Sequence, residues 1–541
     1  AATTGDGGTY VGFNAGASIT TAGLNTVVGS YAFDAATTAT QSVAIGYAAL
    51  SANTTAANNT AVGYAGLSSN TTGVQNIALV SLALDANTTG DLNVAIGYHA
   101  LGSNVSTGAN TAVGGYALYV NEAANNTAMG YQSLYSNTSG TSNAAVGREA
   151  LNQNTTASNN TALGYRALFL NTTASNNTAV GSAALDTNTT GSQNVAVGFA
   201  ALDANTTGGN NVAVGMSALD ANTTADNNTA IGYEALTANT TGANNTAVGL
   251  QSLAANTTGL QNTALGSKAL DANTTGGNNT ALGMGALGNS TTANSNTAVG
   301  LNASVGNTTG TANVSVGQDT LFAATTASNN IALGKGAGVA VTTGGGNTVI
   351  GSDAGDVITT GTDNICIGMD TDPSGSGGVN QIVIGHNISG GENSQFTFGK
   401  ASNIVQNEFD TDAAWTRTSD IRKKRNVNDD NLGLSFINNL RPVTFQWKPS
   451  NEFPKEWEEY SEENNMNLDA VIHGMIAQEV KEALDKEGVD TFGGWKERKD
   501  GSQTISREMF ITPLIKAVQE LSSQVEELKK HSHEPKGLKD M

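Results

Sequence analysis

The sequence is poor in the residues on which disulfide-rich modules and compact enzymes depend. One cysteine among 541 residues excludes a disulfide framework, and Cys366 stands where other copies of a short repeat carry alanine, which indicates a small buried hydrophobe. Only 13% of the residues are charged and 5% aromatic, which favours a repeat array over several globular domains. All prolines and tryptophans lie from Pro373 onward, so the two ends of the chain differ in kind.

Basic residues are also scarce. The formal net charge of −21 argues against binding to nucleic acid or to an anionic membrane surface, because both need a basic patch. No apolar run is long enough to span a bilayer, and no secretion signal is visible. The chain begins at Ala1 rather than at methionine, and we expect a region upstream of it.

A glycine recurs with a period of seventeen residues through most of the chain, which is typical of stacked structural units. Each unit reads approximately N-T-A-V-G-Y-x-A-L-x-x-N-T-T-G-x-N. Strings such as Val43–Ile45 predict a short strand, and a leucine such as Leu50 follows each glycine after four residues. We expect two short strands per rung, with stacked Val/Ile and Leu columns forming the core and the glycine marking a bend without room for Cβ.

The Asn-Thr-Thr-Gly segment supplies turn chemistry. We predict that its asparagines, such as Asn188, Asn205 and Asn222, stack as a ladder, and we interpret their resemblance to glycosylation sequons as incidental. The rungs are too thin to be stable alone, so lateral association of three chains is expected. About two dozen rungs at roughly 4.8 Å each give a shaft on the order of 115 Å long.

Strings such as Asn59–Tyr64 resemble the head repeats of trimeric autotransporter adhesins, which form parallel β-rolls in intertwined trimers, and the same repeat occurs in phage tail fibres. The resemblance covers about residues 8–399. It implies a mainly β protein with a trimeric β-roll or solenoid shaft over residues 1–399.

Catalytic groups are sparse in the shaft. Glutamates are few and none forms a suggestive pair, so a glycosidase site has no support. Asp186, Asp203 and Asp220 recur at one place in consecutive rungs, which suits either a solvated edge or a cation such as Ca²⁺. His99 and His386 are isolated, and we predict neither a metal site nor a cofactor. Receptor contact is expected at irregular rungs, around residues 76–83 and 115–126, or at the tip.

Residues 400–418 lose the period and are interpreted as an end cap and linker, and residues 419–541 then have the composition of a small α+β domain. A terminal helix is predicted over 512–530, with Thr512 as its N-cap. Its apolar residues follow a coiled-coil seam, although an amphipathic helix packed on its own domain fits the same spacing. The seam consists of Leu514, Val518, Leu521, Val525 and Leu528.

The strings Ser419–Lys424 and His473–Val480, followed by the terminal helix, resemble the endosialidase-type intramolecular chaperone domain of phage tailspikes and fibres. The resemblance spans essentially all of residues 419–541. It implies a domain that trimerises the chain, guides folding of the β-fibre and then cleaves itself off. Carried over by motif, Ser419 is the nucleophile, Lys424 its base, and the bond between Thr418 and Ser419 is cut.

From the residues alone, this cluster also fits a solvated basic loop. Cationic neighbours, Arg422 among them, favour an unprotonated lysine, and Lys423 competes with Lys424 as the base. Asp420 and Arg422 are candidate supporting residues.

His473 and Glu479 are further supporting candidates, without an assigned chemical step.

The leading hypothesis is therefore a homotrimeric, receptor-binding tail fibre located in the virion and attached to other tail proteins through an upstream region. Its chaperone domain would act in the host cytoplasm, as a single-turnover serine endopeptidase of the Ser-Lys type. The alternative is a trimeric adhesin at a bacterial cell surface with the same chaperone. A polysaccharide depolymerase is disfavoured because carboxylate pairs are missing.

Overall fold

The computed structural model describes residues 7–21, 23–408, 419–457, 460–464, 466 and 468–532. The chain divides into two compact units, residues 1–417 and 418–541. The first is a β-solenoid of about 23 turns with rungs of about 17 residues, and the second is a small α+β unit. No helix in the described ranges is long and apolar enough to cross a membrane.

Each rung of the solenoid contributes one three-residue strand, pairing in parallel with the equivalent residues of the next rung, as Thr161 does with Thr178. The polar turn and the glycine bend take up the rest of each rung, so the prediction of two strands per rung is wrong. In the described residues these strands, β1–β22, are Thr9–Val11, Thr26–Val28, Val43–Ile45, Thr60–Val62, Ile77–Leu79, Val94–Ile96, Thr111–Val113, Thr127–Met129, Ala144–Val146, Thr161–Leu163, Thr178–Val180, Val195–Val197, Val212–Val214, Thr229–Ile231, Thr246–Val248, Thr263–Leu265, Thr280–Leu282, Thr297–Val299, Val314–Val316, Ile331–Leu333, Thr348–Ile350 and Ile365–Ile367.

The last rungs close the ladder differently. A short parallel pair forms between β23 (Thr371–Asp372) and β25 (Ile388–Ser389). After β26 (Gln395–Lys400) the chain reverses, and β27 (Asn403–Glu408) pairs with β26 in the antiparallel direction. Because β27 runs antiparallel, it ends the parallel stack. Strand β24 (Ile382–His386) continues the parallel ladder between β22 and β26.

The interior of the solenoid is built from small residues. In most strands the central residue is an alanine such as Ala44, which is fully buried, whereas its neighbours Val43 and Ile45 point outward and are partly exposed. The expected Val/Ile core column is therefore wrong, because the central residue of the three-residue strand faces inward and the residues on either side of it face outward. The leucine column is confirmed, since Leu50 and its equivalents are completely buried.

The buried leucines adopt a left-handed backbone conformation, with φ of 52° at Leu50. These backbone angles are sterically costly for residues with a Cβ, so contacts with the neighbouring rungs must hold the leucines in this conformation. The glycine at the bend tolerates a side chain even less than the leucine position tolerates its backbone angle. At Gly198, φ is 140° and an added Cβ would lie 2.4 Å from the carbonyl oxygen of Gly215 in the next rung. The predicted bend without room for Cβ is confirmed.

Two columns of buried asparagines run along the solenoid. In the predicted ladder, Asn205 Nδ2 donates to Asn188 Oδ1 at 2.8 Å and to the carbonyl of Gly208 at 2.9 Å. A second column, not anticipated from the sequence, precedes each strand: the backbone N–H of Asn211 donates to Asn194 Oδ1 at 2.9 Å. Both columns are buried, and their side-chain amides form hydrogen bonds with turn backbone groups that water cannot reach.

The second unit has a small aromatic and aliphatic core around Phe436, which stacks with Phe510 and meets Phe492 edge-on. Its strands pair as two antiparallel two-stranded ribbons, Val443–Phe445 with Ile472–Gly474 and Trp495–Glu497 with Gln503–Ile505. The elements are 3₁₀ turns Ile421–Lys423, Ser450–Glu452 and Arg507–Phe510, strands β28 (Val443–Phe445), β29 (Ile472–Gly474), β30 (Trp495–Glu497) and β31 (Gln503–Ile505), and helices α1 (Leu434–Asn439), α2 (Ala477–Lys486) and α3 (Ile511–Ser532).

Helix α3 continues directly from a 3₁₀ turn and begins at Ile511, so Thr512 lies inside the helix and its predicted role as N-cap is wrong. The helix holds α1 through Glu520, whose Oε2 accepts the backbone N–H of Leu434 at 2.7 Å. The apolar seam of α3 stays open in the single chain, with Leu521 49% and Leu528 68% exposed.

Candidate functional site

The second unit opens with a tight polar turn. Asp420 caps the 3₁₀ turn Ile421–Lys423, because its side chain accepts the backbone N–H of Arg422 at 2.8 Å. The backbone N–H of Lys424 then closes the turn on the carbonyl of Ile421 at 3.0 Å. This geometry folds the chain back, so that residues five apart in sequence meet.

The residues brought together are Ser419 and Lys424. Lys424 Nζ donates to Ser419 Oγ at 2.7 Å, and both side chains are exposed in the single chain. A hydroxyl in contact with an amine is the arrangement that a serine nucleophile and a lysine base require. No hydrogen bond in the described residues joins Lys423, the competing candidate, to this hydroxyl. Thr418, the other side of the predicted scissile bond, lies outside the described residues, as do residues 409–418 of the predicted linker.

Asp420 and Arg422 form an ion pair beside this contact. Arg422 Nε donates to Asp420 Oδ1 at 3.0 Å, and its Nη2 reaches Oδ2 at 2.5 Å. These hydrogen bonds hold the pKa of the Asp420 carboxyl below its usual range. The Asp420 carboxylate therefore forms its hydrogen bonds within its own turn, and Asp420 and Arg422 stabilise the conformation of this loop.

The other two supporting candidates lie elsewhere in the unit. His473 is an exposed residue of β29 opposite Thr444, and Glu479 lies in the first turn of α2. Glu479 accepts hydrogen bonds from Arg441, whose Nε lies 3.1 Å from Oε2, and these bonds lower the pKa of Glu479. Among the described residues, no hydrogen bond links either candidate to Ser419. Sequence reasoning missed Arg441 because the partners are 38 positions apart.

The stacked aspartates of the shaft do not gather into a metal site. Asp186 Oδ2 pairs with Arg166 at 3.0 Å, and burial raises the pKa values of Asp186, Asp203 and Asp220. Within the described ranges no group of three potential ligands is placed to hold a metal ion. Arg166 also lies over the ring of Phe169, so this edge is a packed surface of mixed character.

Comparison with known proteins agrees with this division of the chain. Residues 419–489 match the family model described as chaperone of endosialidase. No curated protein and no solved structure matches the chain. The matched family is a self-cleaving chaperone domain, which supports autoproteolysis in general. Together with the long solenoid, the match fits a trimeric, fibre-like protein of the tail-fibre type with an endosialidase-type chaperone domain at its C-terminus.

Proposed function

We propose that this chain is a homotrimeric, receptor-binding tail fibre of a virion, whose C-terminal unit directs trimerisation and folding in the host cytoplasm and then releases itself between Thr418 and Ser419. The contact of 2.7 Å between Lys424 Nζ and Ser419 Oγ carries the proposal of autocleavage. The upstream region would attach the fibre to other tail proteins.

The chemistry of release follows from the positions of these groups. Neutral Lys424 takes the proton of the Ser419 hydroxyl while Oγ attacks the carbonyl carbon of Thr418. The C–N bond breaks, the proton passes to the departing amine of Ser419, and an ester joins the two residues. Water then hydrolyses the ester, which yields a carboxylate on Thr418 and restores the Ser419 hydroxyl.

Exposed apolar side chains support the trimer. The outward residues of successive strands form a continuous apolar stripe on the shaft, with Leu163 47% and Leu265 46% exposed. The seam of α3 exposes leucines in the same way, for example Leu521. Contiguous apolar surface of this extent is typical of subunit interfaces, and three copies would cover it.

Trimer formation also suits the catalytic step. Ser419 and Lys424 are open to solvent in one chain, and water stabilises a charged lysine. Removal from water favours the neutral form of an amine. Cleavage would therefore begin only after neighbouring subunits cover Ser419 and Lys424, which happens once the trimer has formed. After release the fibre would be trapped kinetically, because its folding template has gone.

The test is expression of the full chain followed by mass spectrometry of the products. We expect the wild type to yield two fragments that separate between Thr418 and Ser419, and Ser419→Ala to remain one chain. Lys424→Ala should also remain intact, whereas the matched control Lys423→Ala should be cut. A cut Ser419→Ala chain would refute the nucleophile, and an intact Lys423→Ala chain beside a cut Lys424→Ala chain would refute the base.

A further inference from the structure

Six aromatic side chains gather on the surface of three successive rungs of the shaft. They follow the strands Val94–Ile96, Thr111–Val113 and Thr127–Met129. The part of the chain before residue 409 carries its other rings singly or in smaller groups. We call this group the aromatic patch, and it consists of Tyr98, His99, Tyr116, Tyr119, Tyr131 and Tyr135.

The rings of the patch touch one another in a continuous network. Tyr116 lies at its centre, with ring centroids 5.4 Å from Tyr98, 5.7 Å from His99 and 5.6 Å from Tyr119. Tyr119 stacks on Tyr135 at 5.4 Å with an interplanar angle of 19°. These are favourable aromatic geometries, so the rings hold each other in defined orientations on the surface.

Local departures from the repeat create this arrangement. The strands beginning at Thr111 and Thr127 are separated by sixteen residues instead of seventeen. Gly102 leaves the space that the ring of Tyr119 occupies, because a Cβ there would lie 2.9 Å from the ring. The shaft interior is complete without these rings, and all six remain partly or fully exposed. Packing of the core therefore does not account for them.

A carboxylate lies near the patch. Asp85, in the preceding rung, interacts electrostatically with His99, and its buried Oδ1 has no hydrogen-bond partner in the described part of the protein. Residues 86–147 contain no lysine or arginine. The first cation beyond them, Arg148, is paired with Glu149 at 3.0 Å. The surroundings of the patch therefore offer no positive charge for an anionic ligand.

We propose that the aromatic patch binds neutral pyranose units of a surface polysaccharide. The flat C–H faces of such sugars pack on aromatic rings, while tyrosine hydroxyls suit sugar hydroxyl groups. Rungs follow one another at roughly 4.8 Å, a spacing comparable to the length of one pyranose unit, so a glycan lying along the shaft meets a ring at each step. This proposal rests on the proposed receptor-binding function and specifies its ligand.

The test uses the full chain, purified as the assembled fibre. The double variant Tyr116→Ala/Tyr119→Ala removes the centre of the patch. The matched control Tyr47→Ala/Tyr64→Ala removes two exposed rings from another site, where they stack at 5.5 Å. The probes are linear neutral hexaoses of glucose, galactose and mannose, with sialylated and galacturonic oligosaccharides for comparison. Binding is screened on an array and measured by calorimetry.

We expect the wild type to bind at least one neutral hexaose and the patch variant to bind it at least about tenfold more weakly, with the control variant unchanged. Equal affinity of the two variants would overturn the proposal, as would the absence of binding by the wild type or a preference for the anionic probes. Loss of the trimer in the patch variant alone would instead assign these rings to a subunit interface and also overturn it.

Adsorption of the fibre to bacterial cells separates this proposal from the function on which it rests. Wild-type fibre that adsorbs, with a patch variant that adsorbs equally well, would refute the patch and leave receptor binding intact. Adsorption that depends on a protease-sensitive receptor would refute the glycan in favour of a protein. Failure of the wild type to adsorb to any strain tested would refute receptor binding itself.

Discussion

The shaft and the C-terminal unit are stabilised in opposite ways. The shaft buries alanine, leucine and asparagine in repeated columns, and each rung contacts its sequence neighbours. The C-terminal unit buries a cluster of aromatic and branched residues around Phe436 that come from distant segments. The shaft therefore depends on backbone geometry and buried amides, whereas the C-terminal unit depends on conventional apolar packing.

Under the proposed function, this difference accounts for the presence of both units in one chain. A solenoid has the same local interactions at every rung, so its own sequence sets the registry between chains only weakly. The C-terminal unit has a unique core and an exposed helix seam, which can align three chains in one way. The proposed function thus assigns the register between chains to the small unit and the length of the fibre to the large one.

The largest expected effect comes from the glycine bend, which has no counterpart in the C-terminal core. Gly198→Ala places a Cβ 2.4 Å from the carbonyl oxygen of Gly215 and forces alanine to φ of 140°. We expect a loss on the order of 4 kcal/mol in the stability of the shaft, or failure to assemble. Thermal unfolding and the yield of soluble fibre measure it.

The control for this prediction is Gly66→Ala. Gly66 stands where most rungs carry a buried alanine, and its added Cβ would have no neighbour closer than 3.7 Å. We expect a neutral to slightly stabilising effect, of about 0.5 kcal/mol. Similar effects of the two substitutions would show that bend geometry does not control the shaft.

A smaller effect is expected from one rung of the amide ladder. Asn205→Ala removes the donor to Asn188 and the acceptor for Asn222. It leaves the buried Asn188 Oδ1 without a donor, whereas the Gly208 carbonyl still accepts from Asn194 Nδ2 at 2.9 Å. We expect a loss of about 3 kcal/mol in shaft stability. Denaturant unfolding measures it, with the exposed Thr207→Ala as control. An equally small change in both variants would show that the ladder is not a principal source of stability.

The smallest effect concerns charge. Burial, followed by the nearby Asp356 charge, raises the pKa of Asp372 to about 6. Because the folded-state pKa lies above the unfolded one, the shaft is most stable with Asp372 protonated and loses stability as pH rises through about 6. We expect Asp372→Asn to stabilise the shaft by about 1 kcal/mol at about pH 8, after allowance for solvent screening, and to change little at about pH 4.

Unfolding midpoints of the shaft at both pH values, measured on the full chain, test this prediction. The exposed Asp226→Asn is the matched control and should leave the pH dependence of the wild type in place. A destabilised Asp372→Asn variant at about pH 8 would show that the ionised carboxylate contributes to the fold instead of opposing it.

Much of the shaft was predictable from the sequence because the repeat states its own geometry. The period indicated the rungs, the glycines marked the bends, the recurring leucines were found buried, and the turn asparagines were found stacked as a ladder, as expected. The choice between alanine and Val/Ile as inward residues was not predictable. A period of two places alternate residues on opposite faces but does not say which face is inside.

The candidate site was predictable as a motif and not as geometry. Ser419 and Lys424 are five residues apart, a spacing that by itself leaves their contact undecided. The aromatic patch was predictable only in part, because the receptor contact expected around residues 115–126 includes Tyr116 and Tyr119 but not the other four rings. His99 reads as an isolated residue, because its ring neighbours Tyr116 and Tyr119 belong to the next rung and adjoin it only in the stacked solenoid.

The sequence by itself determined the repeating architecture, since every rung repeats the same turn residues and the same small apolar set. Only the tertiary structure decided what faces inward, what meets across rungs and how Lys424 reaches Ser419. The physical reason is that contacts within the closed rung decide which side chains face inward, and sequence spacing does not specify those contacts. In the same way, the hydrogen bond of the Asp420 cap shapes the turn that brings Lys424 to Ser419.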